Sequence, residues 1–204
     1  MTSLFRYALV TAVAAGICSM PAAAQDDSAE AQPRDLRAYY IKDGLKLSAY
    51  DSVLLDSLGL EDARVLPPPW VQGDARSPTK WRLTEKDKNW LRNSYRTIVG
   101  EAIAADGGPA IVSQPGPGVL IVDIEIVGIM PYARRGEKVT TKGFGEALVQ
   151  AQFRDGATKE LLAVFEGWQD VGTEYRENSR LNNENNIRAL FRMWGSRLRG
   201  LLDE

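Results

Sequence analysis

The sequence predicts an α+β protein in which an antiparallel sheet of about four strands is covered on one face by two amphipathic helices. The first observation is a series of strand-like segments at 119–127, 146–154 and 161–168, rich in β-branched and aliphatic residues. The second is a pair of helix-like segments, 84–105 and 184–202, each with one apolar stripe. One sheet with a single buried face would place all these apolar side chains in one core.

The N-terminal residues 1–24 have the three parts of a bacterial secretory signal peptide. Arg6 supplies the positive charge, residues 8–17 form the apolar segment, and residues 22–24 are the small alanines of a cleavage site. An apolar segment of about ten residues is too short to span a bilayer, so no transmembrane helix is predicted. We therefore expect an exported protein that is periplasmic or associated with the outer membrane.

Cys18 is the only cysteine and lies within this leader. A lipid anchor at Cys18 is one interpretation, but Ile17 stands where lipoprotein processing requires a small residue, so cleavage before Gln25 is favoured. Residues 25–35 are acidic and nearly free of large apolar side chains, which is typical of a disordered tether. A single folded α+β domain is then expected over residues 36–204.

The first strand of this domain is predicted at 50–56, where aliphatic and polar residues alternate loosely. Residues 66–78 carry four prolines and are expected to form an extended surface segment. Trp70 lies in this segment and Trp81 follows it. A glycan-stacking surface is one interpretation of these tryptophans, but we expect both to anchor the segment through partial burial.

Capping residues define the start of the first helix. Thr84 and Asp87 have the spacing of a capping box, and the glycines at 107 and 108 end the apolar stripe.

A polar connector is predicted at 172–186, before the second helix. Three arginines of that helix lie off its apolar stripe: Arg188, Arg192 and Arg199. A basic amphipathic helix can contact a membrane surface, which is one interpretation. Packing of the apolar stripe on the core is the favoured interpretation.

Two carboxylates mark the strongest strand segment. Asp123 and Glu125 lie two residues apart, so both side chains point to the same face at a separation of roughly 7 Å. Acid–base glycosidases use carboxylates at a similar separation, which gives the hypothesis of a hydrolase acting on cell-wall glycan. The intervening aliphatic residues would be buried, however, and polar residues are expected on the water-facing side of such a sheet. We therefore predict no catalytic residue.

Composition excludes several classes of function. The chain has no histidine, and its only cysteine, Cys18, would be removed by cleavage before Gln25. The usual nucleophilic triads are therefore excluded. A net charge of -2 argues against nucleic-acid binding, and no glycine-rich phosphate-binding motif occurs. No cofactor or metal site is predicted. The leading hypothesis is a non-enzymatic binding or accessory module whose partner is another envelope protein.

Four segments in order resemble the DUF3313 family, a group of bacterial envelope proteins of unknown function. They are YDSVLLD at 50–56, LTEKD at 83–87, PGPGVL at 115–120 and FRDGATKELLA at 153–163. Together they cover about residues 36–171. Members of this family are commonly lipoproteins, so the resemblance implies an envelope location. It implies no known activity and supplies no catalytic residue.

Overall fold

A computed structural model describes residues 36–77 and 82–204. The predicted signal peptide, the predicted tether, Cys18 and Trp81 lie outside the described residues. Within the described ranges the helices and strands follow in this order: β1 (Arg37–Ile41), β2 (Ser52–Leu55), β3 (Arg64–Val65), α1 (Glu85–Ala104), β4 (Ala110–Val112), β5 (Val119–Pro131), β6 (Thr140–Lys142), β7 (Gly145–Asp155), β8 (Leu161–Val171), β9 (Tyr175–Glu177) and α2 (Arg180–Asp203).

The main sheet of the described chain has seven strands and is mixed. Its order is β1-β8-β7-β5-β2-β4, and β3 also pairs with β5. The pairs β1/β8, β8/β7 and β7/β5 are antiparallel, whereas β2, β3 and β4 all pair in parallel. The predicted antiparallel sheet of about four strands is therefore wrong. Strands β6 and β9 form a separate antiparallel ribbon.

The parallel part of the sheet arises from the position of α1 in the chain. A helix between two strands carries the chain back, so the second strand starts at the same end of the sheet as the first and runs parallel to it. Here α1 lies between β2 and β4, which pair from Ser52 with Ala110 to Leu54 with Val112. Strands of only two or three residues give no hydrophobic period, and the sequence therefore contains no signal for β3 or β4.

The first helix begins where the sequence predicts. The Thr84 hydroxyl oxygen accepts the Asp87 backbone N–H at 3.2 Å, and the Asp87 carboxylate accepts the Thr84 N–H at 2.9 Å. This reciprocal pair confirms the capping box. The second helix begins earlier than predicted, because Ser179 caps it by accepting the Asn182 N–H at 3.3 Å. Part of the expected polar connector is therefore helix, and another part is β9.

Both helices pack on one face of the main sheet. The strand residues that face them are buried, including Leu120, Val122, Ile124 and Ile126, as the alternation in the sequence predicts. The helices also pack on each other, with the rings of Tyr95 and Phe191 in an edge contact at 5.9 Å between centroids. The opposite face of the sheet is not covered by either helix.

Candidate functional site

The face of the sheet opposite the helices carries rows of polar side chains. Strand register places Asp123 beside Gln152, and Glu125 beside Gln150, which is followed by Glu166 on β8. The Gln152 amide donates to Gln150 at 3.0 Å, and the Gln150 amide donates to Glu166 at 3.3 Å. Hydrogen bonds between polar side chains therefore run along β7 and across to β8, as expected on an open sheet face.

The two predicted carboxylates lie on this face, as predicted, and both are half-buried. Burial raises the pKa of Asp123, the negative charge of Asp56 raises it further, and Arg154 opposes the change. A raised pKa is a property of general acids. An enzyme usually holds its substrate in a concave site. Asp123 and Glu125 line neither the cavity of about 290 Å³ beside the start of α2 nor the cavity of about 320 Å³ between the end of α2 and the sheet. Both side chains therefore lie on the open face, outside these two cavities.

Replacing Asp123 by asparagine should stabilise the protein at neutral pH. The pKa of Asp123 is higher in the folded protein than the ordinary value of 3.8. The protonated side chain therefore contributes stability that is fully present below pH 3.8 and is lost as the pH rises through the folded-state pKa. The expected gain is about 0.5 kcal/mol at pH 7, the scale of a partly exposed charge interaction. Urea unfolding at pH 7 and pH 3 measures the effect, with Glu125→Gln as the matched loss of one charge from the same face. A loss of stability at pH 7 for Asp123→Asn would contradict the argument.

One end of the open face is aromatic. The Leu66 backbone N–H donates to Ile129 at 2.7 Å, which brings the proline-rich segment alongside the end of β5. Trp70 then packs against Tyr132, with 5.5 Å between ring centroids. The Tyr132 hydroxyl donates in turn to the Glu146 carboxylate at 2.8 Å. Trp70 is nevertheless 60% exposed, so it is a fixed aromatic side chain at the surface.

The same end of the face continues into β8. Gly128 pairs with Leu148, which pairs in turn with Trp168, so this row of the sheet begins at a residue without a side chain. A methyl group placed on Gly128 would lie 3.7 Å from Cη2 of the Trp168 ring and 3.5 Å from Cβ of Leu148. Both neighbours are half-buried. We call the group Trp70, Tyr132, Leu148 and Trp168 the aromatic end.

Only one residue of the aromatic end is predicted from the sequence as a candidate for the surface. The sequence predicts that Trp70 is partly buried; its ring does contact Tyr132, but 60% of Trp70 is exposed. Tyr132 carried no signal in the sequence, because its contact with Trp70 depends on β3 pairing with β5. That parallel pair joins two segments more than sixty positions apart in the chain.

Two of the three arginines predicted to lie off the apolar stripe of α2 have partners within the chain, whereas Arg192 is exposed. Arg199 pairs with Asp203 at 2.9 Å. Arg188 lies over the Trp90 ring, 5.5 Å from its centroid. The apolar stripe of α2 is buried in the core, which confirms the packing interpretation for that helix.

Neither a metal centre nor a membrane-spanning helix is found in the part of the chain that the structure describes. Over residues 36–77 and 82–204, no three His, Cys, Asp or Glu side chains are grouped so that they could hold a metal ion. Within the same ranges, neither helix is long and apolar enough to cross a bilayer.

Comparison with solved structures finds distant likenesses. A variant of PelC from Paraburkholderia phytofirmans, solved as a dodecamer, is 11% identical, with 81% of this chain and 98% of that chain covered at a TM-score of 0.42. A DUF330 protein from Xanthomonas campestris is 12% identical, with 83% and 91% covered at a TM-score of 0.38. Likenesses this weak carry no argument about function. No curated protein matches the chain.

One family model matches most of the chain. Residues 24–198 match the family described as protein of unknown function, DUF3313. The match contains all four segments on which the resemblance rests, and it extends beyond residues 36–171 at both ends. It also spans every strand of the sheet and nearly all of α2. The chain belongs to the DUF3313 family, whose function is unknown.

Proposed function

We propose that this protein is a non-enzymatic binding or accessory module exported to the bacterial cell envelope, and that its aromatic end contacts another envelope protein. The observation that carries the proposal is Trp70, which is 60% exposed although its ring is held against Tyr132. Tryptophan and tyrosine are enriched among the residues that dominate the energy of protein interfaces. A ring that is already fixed loses little side-chain entropy on binding.

The surroundings of Trp70 support the same surface. The preceding prolines restrict the backbone of the segment, and the Tyr132 hydroxyl is fixed by Glu146, which is only 6% exposed. The polar rows of β5, β7 and β8 border this aromatic group, which resembles the apolar centre and polar rim of an interface. The export part of the proposal is supported by the charged, apolar and small-residue parts of the leader at 1–24.

A carboxylate-dependent hydrolase acting on cell-wall glycan is the alternative. Its supporting observation is the pKa of Asp123, which burial and Asp56 raise. If Asp123 and Glu125 carried catalysis, Asp123→Asn with Glu125→Gln would abolish turnover of purified wall glycan. Unchanged turnover, or none in the unmodified protein, would eliminate the hydrolase.

Site-specific crosslinking tests the binding proposal. A photoreactive residue at position 70 should attach one dominant envelope protein in living cells, whereas the same residue at exposed position 192 on α2 should not. Trp70→Ala should then weaken that complex roughly 30-fold, the effect of losing one dominant interface residue. Tyr175→Ala is the matched control, because Tyr175 is an aromatic side chain 75% exposed on β9. Equal crosslinking from both positions, or attachment only to glycan, would contradict the proposal.

A further inference from the structure

The cavity beside the start of α2 is lined mainly by polar residues. One wall is formed by Gly172, Thr173 and Glu174, which join β8 to β9, and by Arg176 on β9. The other wall is α2, whose lining residues recur at helical spacing and therefore share one face of the helix: Asn182, Asn185, Asn186 and Ala189. This cavity and the aromatic end share no residue, so either proposal can fail without the other.

The Asn186 amide packs against a glycine. Gly172 has a φ of +89°, and a Cβ atom on it would lie 2.6 Å from Cγ of Asn186. A residue with a side chain at position 172 would therefore displace the amide, and glycine leaves the room that it needs. A second amide is held by the backbone, since Asn182 donates to the Glu177 carbonyl oxygen at 2.9 Å.

Three polar side chains of the lining are available to a ligand. Within the described residues, the side chains of Thr173, Asn185 and Asn186 have no hydrogen-bonding partner. Asn186 is half-buried, yet its polar atoms are not sealed from solvent, because the Tyr95 hydroxyl is the only fully buried unpaired side-chain group in the same ranges. An amide donates through its nitrogen and accepts through its oxygen, and a hydroxyl does both. These groups match a ligand that donates and accepts hydrogen bonds together.

The charges of the lining cancel each other. The Glu174 carboxylate accepts from Nε of Arg176 at 3.0 Å, and the other six lining residues are uncharged. The cavity therefore has neither the net positive charge that binds an anion nor the several carboxylates that bind a cation. Its described lining contains no aromatic side chain on which a nucleobase could stack. The lining favours a neutral molecule that is rich in hydroxyl groups.

From this lining we infer that the cavity binds one neutral sugar ring, either a free hexose or the terminal unit of a glycan. Neighbouring hydroxyls of the ring would donate to the amide oxygens of Asn185 and Asn186 and accept from their amide nitrogens. Ala189 leaves space for the ring, because its side chain is a single methyl group. The volume of about 290 Å³ is close to the ~300 Å³ of the smallest ligand pockets, which indicates one ring and not an oligosaccharide.

Nuclear magnetic resonance of the side-chain amides tests the inference. Glucose, galactose, mannose and N-acetylglucosamine are titrated into the ¹⁵N-labelled protein, and at least one should shift the Asn185 and Asn186 signals saturably. Ala189→Leu should weaken this binding at least tenfold, because leucine fills the cavity and is itself a good helix former. Ala104→Leu is the matched control: it makes the same substitution at an exposed position of α1 outside the cavity and should leave binding unchanged.

A second pair of variants tests the amide contacts. Asn185→Ala should weaken the sugar roughly fivefold, the effect of losing one neutral hydrogen bond. Asn93→Ala removes an exposed asparagine of α1 outside the cavity and should leave binding unchanged. The methyl glycoside of the bound sugar distinguishes the two sources, since the terminal unit of a glycan is substituted at the same oxygen. Undiminished binding of the glycoside supports a glycan end, and its exclusion supports a free hexose.

Three results would overturn the inference. The site does not bind sugars if none of the four causes a saturable shift, or if Ala189→Leu binds as well as the unmodified protein. The ligand is not neutral if glucuronate, which carries a carboxylate, binds more tightly than glucose, because Arg176 would then act as an anion-binding residue.

Discussion

Replacing Tyr95 by phenylalanine should raise the free energy of unfolding by about 1 kcal/mol, because it removes a buried hydroxyl that is left without a hydrogen bond. Tyr95 is completely buried, and its hydroxyl oxygen has no partner among the described residues. The ring itself is stabilising, since it packs edge-on against Phe191. Tyr95→Ala should therefore act in the opposite direction and cost about 3–5 kcal/mol, as large-to-small changes in a core do.

The same hydroxyl should make stability fall at alkaline pH. Burial raises its pKa, and the negative charges of Asp123 and Asp56 add to the increase. The unfolded chain begins to lose this proton near pH 10 while the folded protein retains it, so stability declines as the pH rises above that value. Tyr95→Phe removes this contribution.

Chemical denaturation of the three proteins at pH 7 and pH 10.5 measures both effects. The advantage of Tyr95→Phe over the unmodified protein should be larger at the higher pH. A phenylalanine variant that is less stable than the unmodified protein at pH 7 would show that the hydroxyl contributes favourable interactions in the folded state. An alanine variant of nearly unchanged stability would show that the Phe191 contact is of little energetic importance.

The long elements of the fold could be predicted because each carries its own period. The strands at 119–131, 145–155 and 161–171 and both helices follow the predicted order, and their buried faces follow from the alternation. The alternation of β5 holds only to Ile126, because a bulge before Gly128 shifts the register and places Ile129 on the core side. Turns and helix ends can be predicted from nearby residues, whereas the position of a bulge depends on the partner strand.

The edges of the sheet and the aromatic end could not be predicted, because they depend on contacts between distant segments. Strand β1 has five exposed residues and is a strand only because it pairs with β8. The pairing of β3 with β5 places Trp70 against Tyr132. Nothing in the sequence of either segment indicates that the two segments pair. The face of Asp123 could be predicted because it depends only on alternation within β5.

Gly195→Ala should destabilise the protein, although alanine is the better helix former. The two helices approach each other at this position: a Cβ on Gly195 would lie 2.6 Å from Cβ of Ala102 and 3.2 Å from the carbonyl oxygen of Val99. Forcing the helices apart should cost about 1–3 kcal/mol, the usual penalty of overpacking. That penalty exceeds the gain of roughly 0.5–1 kcal/mol expected from replacing glycine in a helix.

Gly200→Ala on the same helix separates these two effects. No atom of another element lies within 4 Å of a Cβ at position 200, so only the gain in helix propensity remains and this variant should be more stable than the unmodified protein. Thermal unfolding of the two alanine variants should therefore give shifts of opposite sign. Adding Ala102→Gly to Gly195→Ala should recover part of the loss, because it removes the closest clashing atom. Equal stabilisation by Gly195→Ala and Gly200→Ala would mean that the helix contact is not tightly packed, whereas opposite shifts with rescue would establish Gly195 as the point on which the packing of α1 against α2 depends.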